Sequence, residues 1–338
     1  MKKNKLFSLL LLCNIILCSC GDNSKHISIF IYTYDDTFIS SLVSNLRTLI
    51  NESNIDANYY YASRSQAKQN EQITNEIENN NNKLLVVNSV DRLADSSIID
   101  KAKLYDLPVI FFNREPLDKD LEEGSKYYYV GSNPKSEGLL QAKMAKNLFG
   151  SPYSLNSLYD KNGDGKIQTV LLKGEQGHQD MENRSKYCIQ GLENSGYKVD
   201  LLTTSYCNWS RSLGAEEMEK IYDSYGDQIE LIFSNNDDMA LGAIDYLLEK
   251  NIFSSTATDV SEQPIQIIGV DATSVARTAI SNHLMYGTVK NDAKKQAETI
   301  SELTNLIIEN KSLDGVDFTS GNKIYVPGQE ITIADIND

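Results

Sequence analysis

Short apolar runs alternate with longer amphipathic stretches along most of the chain. The runs are rich in Ile, Val and Leu and nearly unbroken, which is typical of strands buried on both faces of a parallel sheet. Between them, apolar residues recur at three- and four-residue spacing, as in FISSLVSNLRTLIN and DMALGAIDYLLEKN, which predicts amphipathic helices. The repeated strand–helix unit predicts the α/β class. The predicted strands lie at 26–32, 56–62, 83–90, 108–113, 168–174, 198–205, 229–235 and 265–271.

This alternation breaks at one place, after the run PVIFFN. A charged stretch, NREPLDKDLEEGSKY, is followed there by another apolar run, YYYVGSN. A chain of 338 residues also suits two domains of ordinary size. We therefore predict two lobes, each an open, mostly parallel sheet with helices on both faces, joined by a multi-strand hinge. The predicted N-terminal lobe comprises 20–131 and 292–321, and the predicted C-terminal lobe comprises 132–291 and 322–338.

The first residues form a separate segment. Lys2, Lys3 and Lys5 precede FSLLLLCNIILC, an apolar stretch too short to span a bilayer comfortably, which is typical of an export signal. The stretch ends in LCSCG, which resembles the bacterial lipoprotein box. We predict a lipoprotein signal peptide at 1–19, a lipidated Cys20 that anchors the protein to a membrane, and a place in the cell envelope outside the cytoplasm. A plain secretory signal is the alternative.

Charge and cysteine content narrow the function classes. The formal charge is −15, and removal of 1–19, which holds three lysines, would make it −18. Such an acidic surface argues against nucleic-acid binding, which needs basic patches. No dinucleotide-binding or Walker glycine motif is present, so a nucleotide site has no support. Outside the signal region only Cys188 and Cys207 remain; they can pair in an oxidising compartment, but isolated cysteines are more often unpaired.

Polar and aromatic residues follow the ends of the predicted strands. In open parallel sheets, ligands bind beyond the carboxyl ends of the strands. Acids accept hydrogen bonds, arginine donates them and amides do both, so this set suits the hydroxyls of a neutral polyol. Flat rings suit the apolar faces of a pyranose, and the combination predicts a hexose ligand. The residues are Asp36, Phe38, Asn113, His178, Asp180, Arg184, Trp209, Asn236, Asp271 and Asn291.

Each of these residues also has a purely structural interpretation. Asp36, Asp180 and Asp237 can be helix N-caps, which is the commoner role of an aspartate at a strand end. Phe38 can belong to the core, and Trp209 can fill a gap between helix and sheet. Enzymatic alternatives have less support, because no G-x-S-x-G motif is present. A glycoside hydrolase with paired acids remains an alternative, but the strand ends carry many amides rather than one acid pair.

The segment DKNGDGKIQ (160–168) has the spacing of the first part of a calcium-binding loop. Gly165 occupies the sharp turn of that loop. The position for the final chelating glutamate is Leu171, so the motif is either decayed or completed by a carboxylate from elsewhere. Oxygen-bearing side chains occupy the first, third, fifth and ninth positions: Asp160, Asn162, Asp164 and Gln168.

Long segments of the chain match one known family in order. They are IYTYDDTF, FFNREP, YYYVGSN, DKNGDGKIQTVLLKGEQGH, IELIFSNNDDMALGA, GVDA and GTVKNDA. On these segments the chain resembles the periplasmic galactose/glucose-binding proteins of bacterial ABC importers, which are type I periplasmic binding proteins. The resemblance implies a monomeric, non-enzymatic receptor that closes around D-galactose or D-glucose and delivers it to a permease. A sensory role, with docking to a chemoreceptor, is the alternative that the sequence does not separate from transport.

The resemblance also implies roles for individual residues. Phe38 and Trp209 would sandwich the sugar ring, and the other eight selected residues would bind its hydroxyls. The calcium loop would be completed by the carbonyl of Lys166 and by a bidentate Glu230, which gives seven oxygens around the ion. The chain departs from the family in Cys188 and Cys207, in its lipoprotein start and in an acidic insertion, SSTATDVSEQP.

Overall fold

The computed structural model describes residues 26–79, 82–122 and 126–336. The predicted signal peptide and the predicted lipidation site, Cys20, lie outside the described residues. Within the described part, no helix has a stretch long and apolar enough to cross a membrane.

Fourteen strands and eleven α-helices make up the described structure. The strands are β1 His26–Ile31, β2 Asp56–Tyr61, β3 Leu84–Val87, β4 Val109–Phe112, β5 Tyr127–Ser132, β6 Gly150–Ser151, β7 Ser154–Leu155, β8 Ile167–Lys173, β9 Val199–Tyr206, β10 Leu231–Ser234, β11 Gln266–Val270, β12 Gly287–Lys290, β13 Lys323–Val326 and β14 Gln329–Thr332. The helices are α1 Thr37–Glu52, α2 Gln66–Asn79, α3 Asp95–Leu104, α4 Asp118–Leu121, α5 Pro134–Phe149, α6 Gln179–Glu193, α7 Arg211–Tyr225, α8 Asp237–Glu249, α9 Ser274–Ser281, α10 Ala293–Ile308 and α11 Ile333–Ile336.

Two six-stranded sheets form the two lobes. The first has the order β13-β5-β4-β3-β1-β2 and is parallel throughout; the second has the order β14-β12-β11-β10-β8-β9 and is parallel except for β14. This confirms the predicted α/β class and the two-lobed, mostly parallel architecture. The strand–helix alternation predicts it because parallel neighbours need a crossover, which here is usually a helix.

Helices cover both faces of each sheet. Successive side chains of a strand point to opposite faces, so neighbouring strand residues pack against different helices. In β1, Ile29 belongs to the core beneath α1 and α10, whereas Phe30 belongs to the core beneath α2 and α3. In β8, Val170 packs with residues of α7 and α8, whereas Leu171 packs with residues of α5 and α6. The unbroken apolar runs in the sequence therefore reflect strands that are buried on both sides.

The chain passes between the lobes three times: between β5 and α5, between β12 and α10, and between β13 and β14. One predicted boundary is wrong, because 322–338 was assigned to the C-terminal lobe. Lys323–Val326 instead runs parallel to β5 in the first sheet, with Lys323 beside Tyr129. This strand is short and mostly half-buried, so its apolar pattern does not indicate which sheet edge it joins.

The two cysteines of the described residues, Cys188 and Cys207, are both buried and free. Burial raises the pKa of both thiols, which makes them poor nucleophiles. Both belong to core packing of the C-terminal lobe.

Candidate functional site

A cavity lies between the two lobes, beyond the carboxyl ends of strands from both sheets. Asp36 follows β1, Asn113 follows β4 and Asp271 follows β11. The cavity holds about 360 Å³ of empty space, part of it open to solvent. It is lined by all the residues that the sequence analysis assigned to sugar binding, Asp36, Phe38, Asn113, His178, Asp180, Arg184, Trp209, Asn236, Asp271 and Asn291, and also by Tyr32, Ile39 and Arg114.

The N-terminal lobe contributes a carboxylate and a ring from the start of α1. Asp36 is the N-cap of this helix, and its Oδ1 accepts a hydrogen bond from the backbone N–H of Ile39 at 2.9 Å. The hydroxyl of Tyr32 donates to Oδ2 of Asp36 at 2.5 Å. Phe38 is buried in the core of this lobe and also lines the cavity. The helix-cap and core interpretations are therefore correct for Asp36 and Phe38, and both residues also line the cavity.

Arg184 is the buried cation of the C-terminal lobe. Its Nε donates to Oε2 of Glu137 at 2.6 Å, and its Nη1 donates to the carbonyl of Asn235 at 2.9 Å. Burial lowers the pKa of Arg184, but the carboxylates of Glu137 and Asp180 outweigh this effect and raise it, so the side chain stays charged. Its Nη2 lies 3.6 Å from Oδ2 of Asp180 and has no hydrogen-bond acceptor among the described residues. A ligand hydroxyl placed between these two groups would satisfy both.

Asp180 lies in the first turn of α6 but does not cap this helix. The cap is His178, whose Nδ1 accepts a hydrogen bond from the backbone N–H of Asp180 at 3.1 Å. Burial raises the pKa of Asp180 to about 7, with Arg184 opposing the rise and Glu137 adding to it. The carboxylate is therefore held close to a cation rather than used as a helix cap.

His178 is neutral in this cavity. Burial lowers the pKa of His178 well below its usual range, and the nearby charges of Arg114 and Arg184 lower it further. Because Nδ1 accepts a hydrogen bond, we assign the proton to Nε2, which leaves one donor for a ligand. The imidazole stands edge-on to the indole of Trp209, with ring centroids 5.1 Å apart.

The indole of Trp209 depends on Gly174 for its position. A β-carbon at Gly174 would lie 2.2 Å from Cη2 and Cζ2 of Trp209, so a larger residue there would collide with the ring. Trp209 also packs against the core of the C-terminal lobe, which agrees in part with the gap-filling interpretation. Asn236 connects to the same turn, because its Nδ2 donates to the carbonyl of Trp209 at 3.4 Å.

A chain of side chains leads from the cavity into the hinge. Nδ2 of Asn291 donates to Oδ1 of Asp271 at 3.3 Å, and Nε2 of Gln296 donates to Oδ1 of Asn291 at 2.6 Å. Gln296 is fully buried on α10, which belongs to the N-terminal lobe. Burial raises the pKa of Asp271 well above its usual range, with Arg184 opposing the rise. The hydrogen bond from Gln296 to Oδ1 therefore orients the Asn291 carboxamide so that its Nδ2 points towards Asp271.

Three cavity residues have strained backbone conformations. Asn113, Trp209 and Asp271 have φ values of 61°, 64° and 119°, a region that non-glycine residues seldom adopt. Such conformations cost on the order of 1–3 kcal/mol each and cluster at binding and catalytic sites. Non-glycine residues elsewhere in the described chain have a positive φ as well, so these three values show local strain at the cavity and do not by themselves indicate a function.

The two lobes touch each other across the cleft. Nη2 of Arg114, in the N-terminal lobe, lies 2.9 Å from Oε2 of Glu175, in the C-terminal lobe. Nε2 of Gln179 donates to Oε2 of Glu115 at 3.3 Å across the same cleft. The structure therefore shows the lobes in a closed arrangement around the cavity.

The loop at 160–168 packs against Glu230, as the resemblance implies. The backbone N–H groups of Lys161 and Gln168 donate to the two carboxylate oxygens of Glu230 at 2.7 Å and 3.2 Å. Oδ1 of Asp160 and Oε1 of Gln168 are buried without a hydrogen-bond donor among the described residues. These oxygens fit a hard cation such as calcium, which prefers six to eight oxygen ligands.

The calcium-loop residues do not form a cluster of acids alone. In the described part of the chain, no group of three or more His, Cys, Asp or Glu side chains is arranged to hold a metal ion. A site at this loop therefore needs the amides of Asn162 and Gln168 and the carbonyl of Lys166 as well. Nε2 of Gln168 donates to Oδ2 of Asp164 at 3.0 Å, which brings two of the predicted ligands together.

Comparison with known proteins gives the family. The family model of the periplasmic binding protein domain matches residues 27–312. The chain belongs to this family. The D-galactose/methyl-galactoside binding periplasmic protein MglB of Haemophilus influenzae is 35% identical over 299 residues, which cover 85% of this chain and 83% of that protein. A putative rhizopine-binding protein of Rhizobium meliloti is 26% identical over 324 residues, which cover 95% of this chain and 94% of that protein.

Solved structures of periplasmic binding proteins share the fold. An ABC transporter periplasmic solute-binding protein of Actinobacillus succinogenes with bound D-allose has a TM-score of 0.77 at 18% identity, over 92% of this chain and 99% of that chain. A solute-binding protein of Bacillus halodurans with bound myo-inositol has a TM-score of 0.75 at 22% identity, over 94% and 98%. The relatives are substrate-binding proteins, and this periplasmic binding protein is likewise not an enzyme.

The structure also brings in residues that the sequence analysis did not select. Tyr32 and Arg114 line the cavity, Glu137 and Gln296 hold the cavity-lining Arg184 and Asn291, and Gly174 makes room for the indole. Arg114 adjoins the selected Asn113, so strand-end reasoning would have found it. Tyr32 and Gly174 directly follow β1 and β8, so the same reasoning would have reached them. Glu137 and Gln296 lie on helices, where no local pattern marks them.

Proposed function

We propose that the protein binds one neutral hexose, D-galactose or D-glucose, outside the cytoplasm and presents it to the permease of an ABC importer. The observation that carries this proposal is the buried Nη2 of Arg184, which lacks an acceptor and lies beside Asp180 in a cavity flanked by rings. A sugar hydroxyl both donates and accepts, so one hydroxyl can bond to the guanidinium and the carboxylate together. The name of the Haemophilus influenzae relative supports galactose.

Binding would couple to closure of the lobes. Asp36, Phe38 and Asn113 belong to the N-terminal lobe, whereas His178 and the residues after it belong to the C-terminal lobe or the hinge. Neither half alone surrounds a hexose, so the ligand binds the closed form more tightly and shifts the population towards it. The closed form is then the species that a permease recognises.

A structural calcium ion is part of the proposal. It would be held by the loop at 160–168 together with Glu230, and it would neutralise the buried carboxylates that meet there. The ligands would be Asp160, Asn162, Asp164, the carbonyl of Lys166, Gln168 and Glu230. This loop precedes β8 and so lies at the amino-terminal ends of the strands, whereas the cavity lies beyond their carboxyl ends. The ion would therefore support folding of the C-terminal lobe and would not touch the sugar.

A lipid anchor at Cys20 completes the proposal. It would hold the protein at the outer face of a membrane, close to the permease. The basis is the sequence alone, namely the apolar segment that ends in LCSCG.

The single tryptophan offers a direct test of the sugar site. The chain contains one tryptophan, and Trp209 lines the proposed hexose cavity. We expect D-galactose or D-glucose, but not the acyclic polyol mannitol, to change the indole emission in a saturable way. Unchanged emission at millimolar hexose, together with an unchanged melting temperature, would contradict the proposal.

A further inference from the structure

Four side chains form a continuous row from the C-terminal lobe, across the cleft, to the sugar cavity. Nη2 of Arg114 donates to Oε2 of Glu175 at 2.9 Å, and the guanidinium of Arg114 lies 4.1 Å from the centroid of the Tyr32 ring. The hydroxyl of Tyr32 donates to Oδ2 of Asp36 at 2.5 Å. We call these four residues the relay. Glu175 belongs to the C-terminal lobe, whereas the other three belong to the N-terminal lobe and line the cavity.

Arg114 receives its carboxylate partner from the opposite lobe. The residue is buried, and its Nη1 donates to the carbonyl of Val90 in its own lobe. Within the described part of the chain, Glu175 is the only carboxylate within 4 Å of this guanidinium. A buried cation that lacks a partner is strongly unfavourable. Because Glu175 lies across the cleft, the guanidinium gains its partner only when the lobes are closed.

Tyr32 connects the guanidinium to the sugar cavity. It is buried in the core of the N-terminal lobe. Burial raises the pKa of Tyr32, the charge of Asp36 raises it further and Arg114 opposes the rise, so the hydroxyl keeps its proton and donates it to Asp36. A guanidinium over the face of a tyrosine ring is attracted to it. The position of Arg114 therefore influences the position of the ring and of its hydroxyl.

Asp36 has one donor on each carboxylate oxygen. The backbone N–H of Ile39 donates to Oδ1 at 2.9 Å, which is the helix cap, and Tyr32 donates to Oδ2. With one oxygen held by the cap, the bond from Tyr32 fixes the rotation of the carboxylate. Each oxygen can still accept a further hydrogen bond from a sugar hydroxyl. Tyr32 thus decides the direction from which Asp36 accepts that bond.

We propose that Glu175, Arg114 and Tyr32 are positioning residues that orient the Asp36 carboxylate for a sugar hydroxyl when the lobes close. In the open form Arg114 lacks Glu175, so the Tyr32 ring and the carboxylate behind it are less firmly held. Closure then improves the N-terminal half of the site as well as bringing the two halves together. This inference rests on the proposed function, because the cavity must hold a hexose, and it adds the residues that couple closure to binding.

A simple latch between the lobes would behave differently from the relay. Gln179 and Glu115 form such a contact, because Nε2 of Gln179 donates to Oε2 of Glu115 across the same cleft. No hydrogen bond or ion pair of the described residues joins this pair to Tyr32 or Asp36. A latch changes hexose affinity by the same factor whether or not Tyr32 is intact, whereas members of one relay depend on each other.

The test is a double-mutant cycle on hexose affinity. Calorimetry with D-galactose and D-glucose compares the full chain with Glu175→Gln, Tyr32→Phe and the double variant. The matched control cycle uses Gln179→Ala in place of Glu175→Gln. A second cycle combines Glu175→Gln with Asp36→Asn, because asparagine caps a helix as well as aspartate does. Melting curves establish that each variant is folded, and the second cycle decides if Tyr32→Phe is not.

We expect Tyr32→Phe to raise the Kd of the better-bound hexose about tenfold, and Glu175→Gln to raise it about threefold or more. Added to Tyr32→Phe or to Asp36→Asn, Glu175→Gln should change the Kd by less than about twofold, whereas Gln179→Ala should have the same effect with and without Tyr32→Phe.

An equal effect of Glu175→Gln in the presence and absence of Tyr32→Phe would overturn the relay and leave only a latch. Wild-type affinity in Tyr32→Phe or in Glu175→Gln would overturn it as well. In each of these cases the wild-type protein still binds hexose, so the proposed function stands. Absence of hexose binding by the wild-type protein would overturn the proposed function, and the relay with it.

Discussion

Gly174→Ala places a methyl group where the structure leaves room only for the indole of Trp209. The added β-carbon would lie 2.2 Å from Cη2 and Cζ2 and 2.4 Å from Cε2 of that ring, whereas ordinary contacts begin at 3.4 Å. The ring must therefore retreat by about 1.2 Å or more. Gly174 does not have a positive φ, so the effect is steric and does not come from backbone strain.

The expected loss of hexose affinity in Gly174→Ala follows from the binding free energy that the Trp209 ring contributes. A well-placed aromatic contact is worth about 0.5–1.5 kcal/mol beyond burial of its area, so a displaced indole should raise the hexose Kd by about 2- to 12-fold. Overpacking should also lower the free energy of unfolding by about 1–3 kcal/mol. Trp209→Ala, which removes the whole ring, sets the upper limit of the loss in affinity.

Calorimetric titration with D-galactose and D-glucose measures this directly. Gly315→Ala is the matched control, because a β-carbon there meets no atom within 4 Å and the backbone conformation is ordinary. The control should bind like the wild-type protein. If Gly174→Ala also bound hexose with wild-type affinity and unchanged indole emission, the ring would not form a wall of the sugar site.

Three further variants test separate parts of the account. Glu230→Gln should abolish the rise in melting temperature on adding calcium while leaving hexose affinity within about twofold; equal calcium responses in variant and wild type would refute the structural ion. Burial raises the pKa of Asp180 to about 7 from an ordinary 3.8, so the folded protein holds this proton more tightly than the unfolded chain. As the pH rises from about 4 to about 8, the free energy of unfolding of the sugar-free wild type should therefore fall by up to about 4 kcal/mol relative to that of Asp180→Asn, which cannot titrate. Urea melts in which the difference between the two proteins does not change with pH would contradict this burial. Cys20→Ser should move the protein from the detergent phase to the aqueous phase; continued detergent partitioning would reject the anchor.

Much of the fold can be predicted from the sequence because burial on both faces leaves a strong signal. The run 229–235 and the run 265–271 each contain four large aliphatic or aromatic residues, and both contain central strands of the second sheet. The strand at Lys323–Val326 shows the limit of this reasoning. It is a short edge strand beyond the second crossing between lobes, and pairing with β5 decides its lobe.

The cavity residues can be predicted because parallel strands bring their carboxyl ends to one edge. Asp36, Asn113 and Asp271 are far apart in sequence, yet each follows a strand that ends at the cleft. The residues that hold them in place cannot be found this way. Glu137 reaches Arg184 from a neighbouring helix, and the same sequence pattern would appear if it faced solvent.

The account predicts that one hexose binds per chain between Asp36 of one lobe and Asp271 of the other. Isothermal titration calorimetry of the sugar-free protein with D-galactose and D-glucose tests this most directly. We expect saturable heat with one site per chain for at least one of the two sugars, and a large loss of affinity in Arg184→Met. No heat with either sugar up to millimolar concentration would contradict the account.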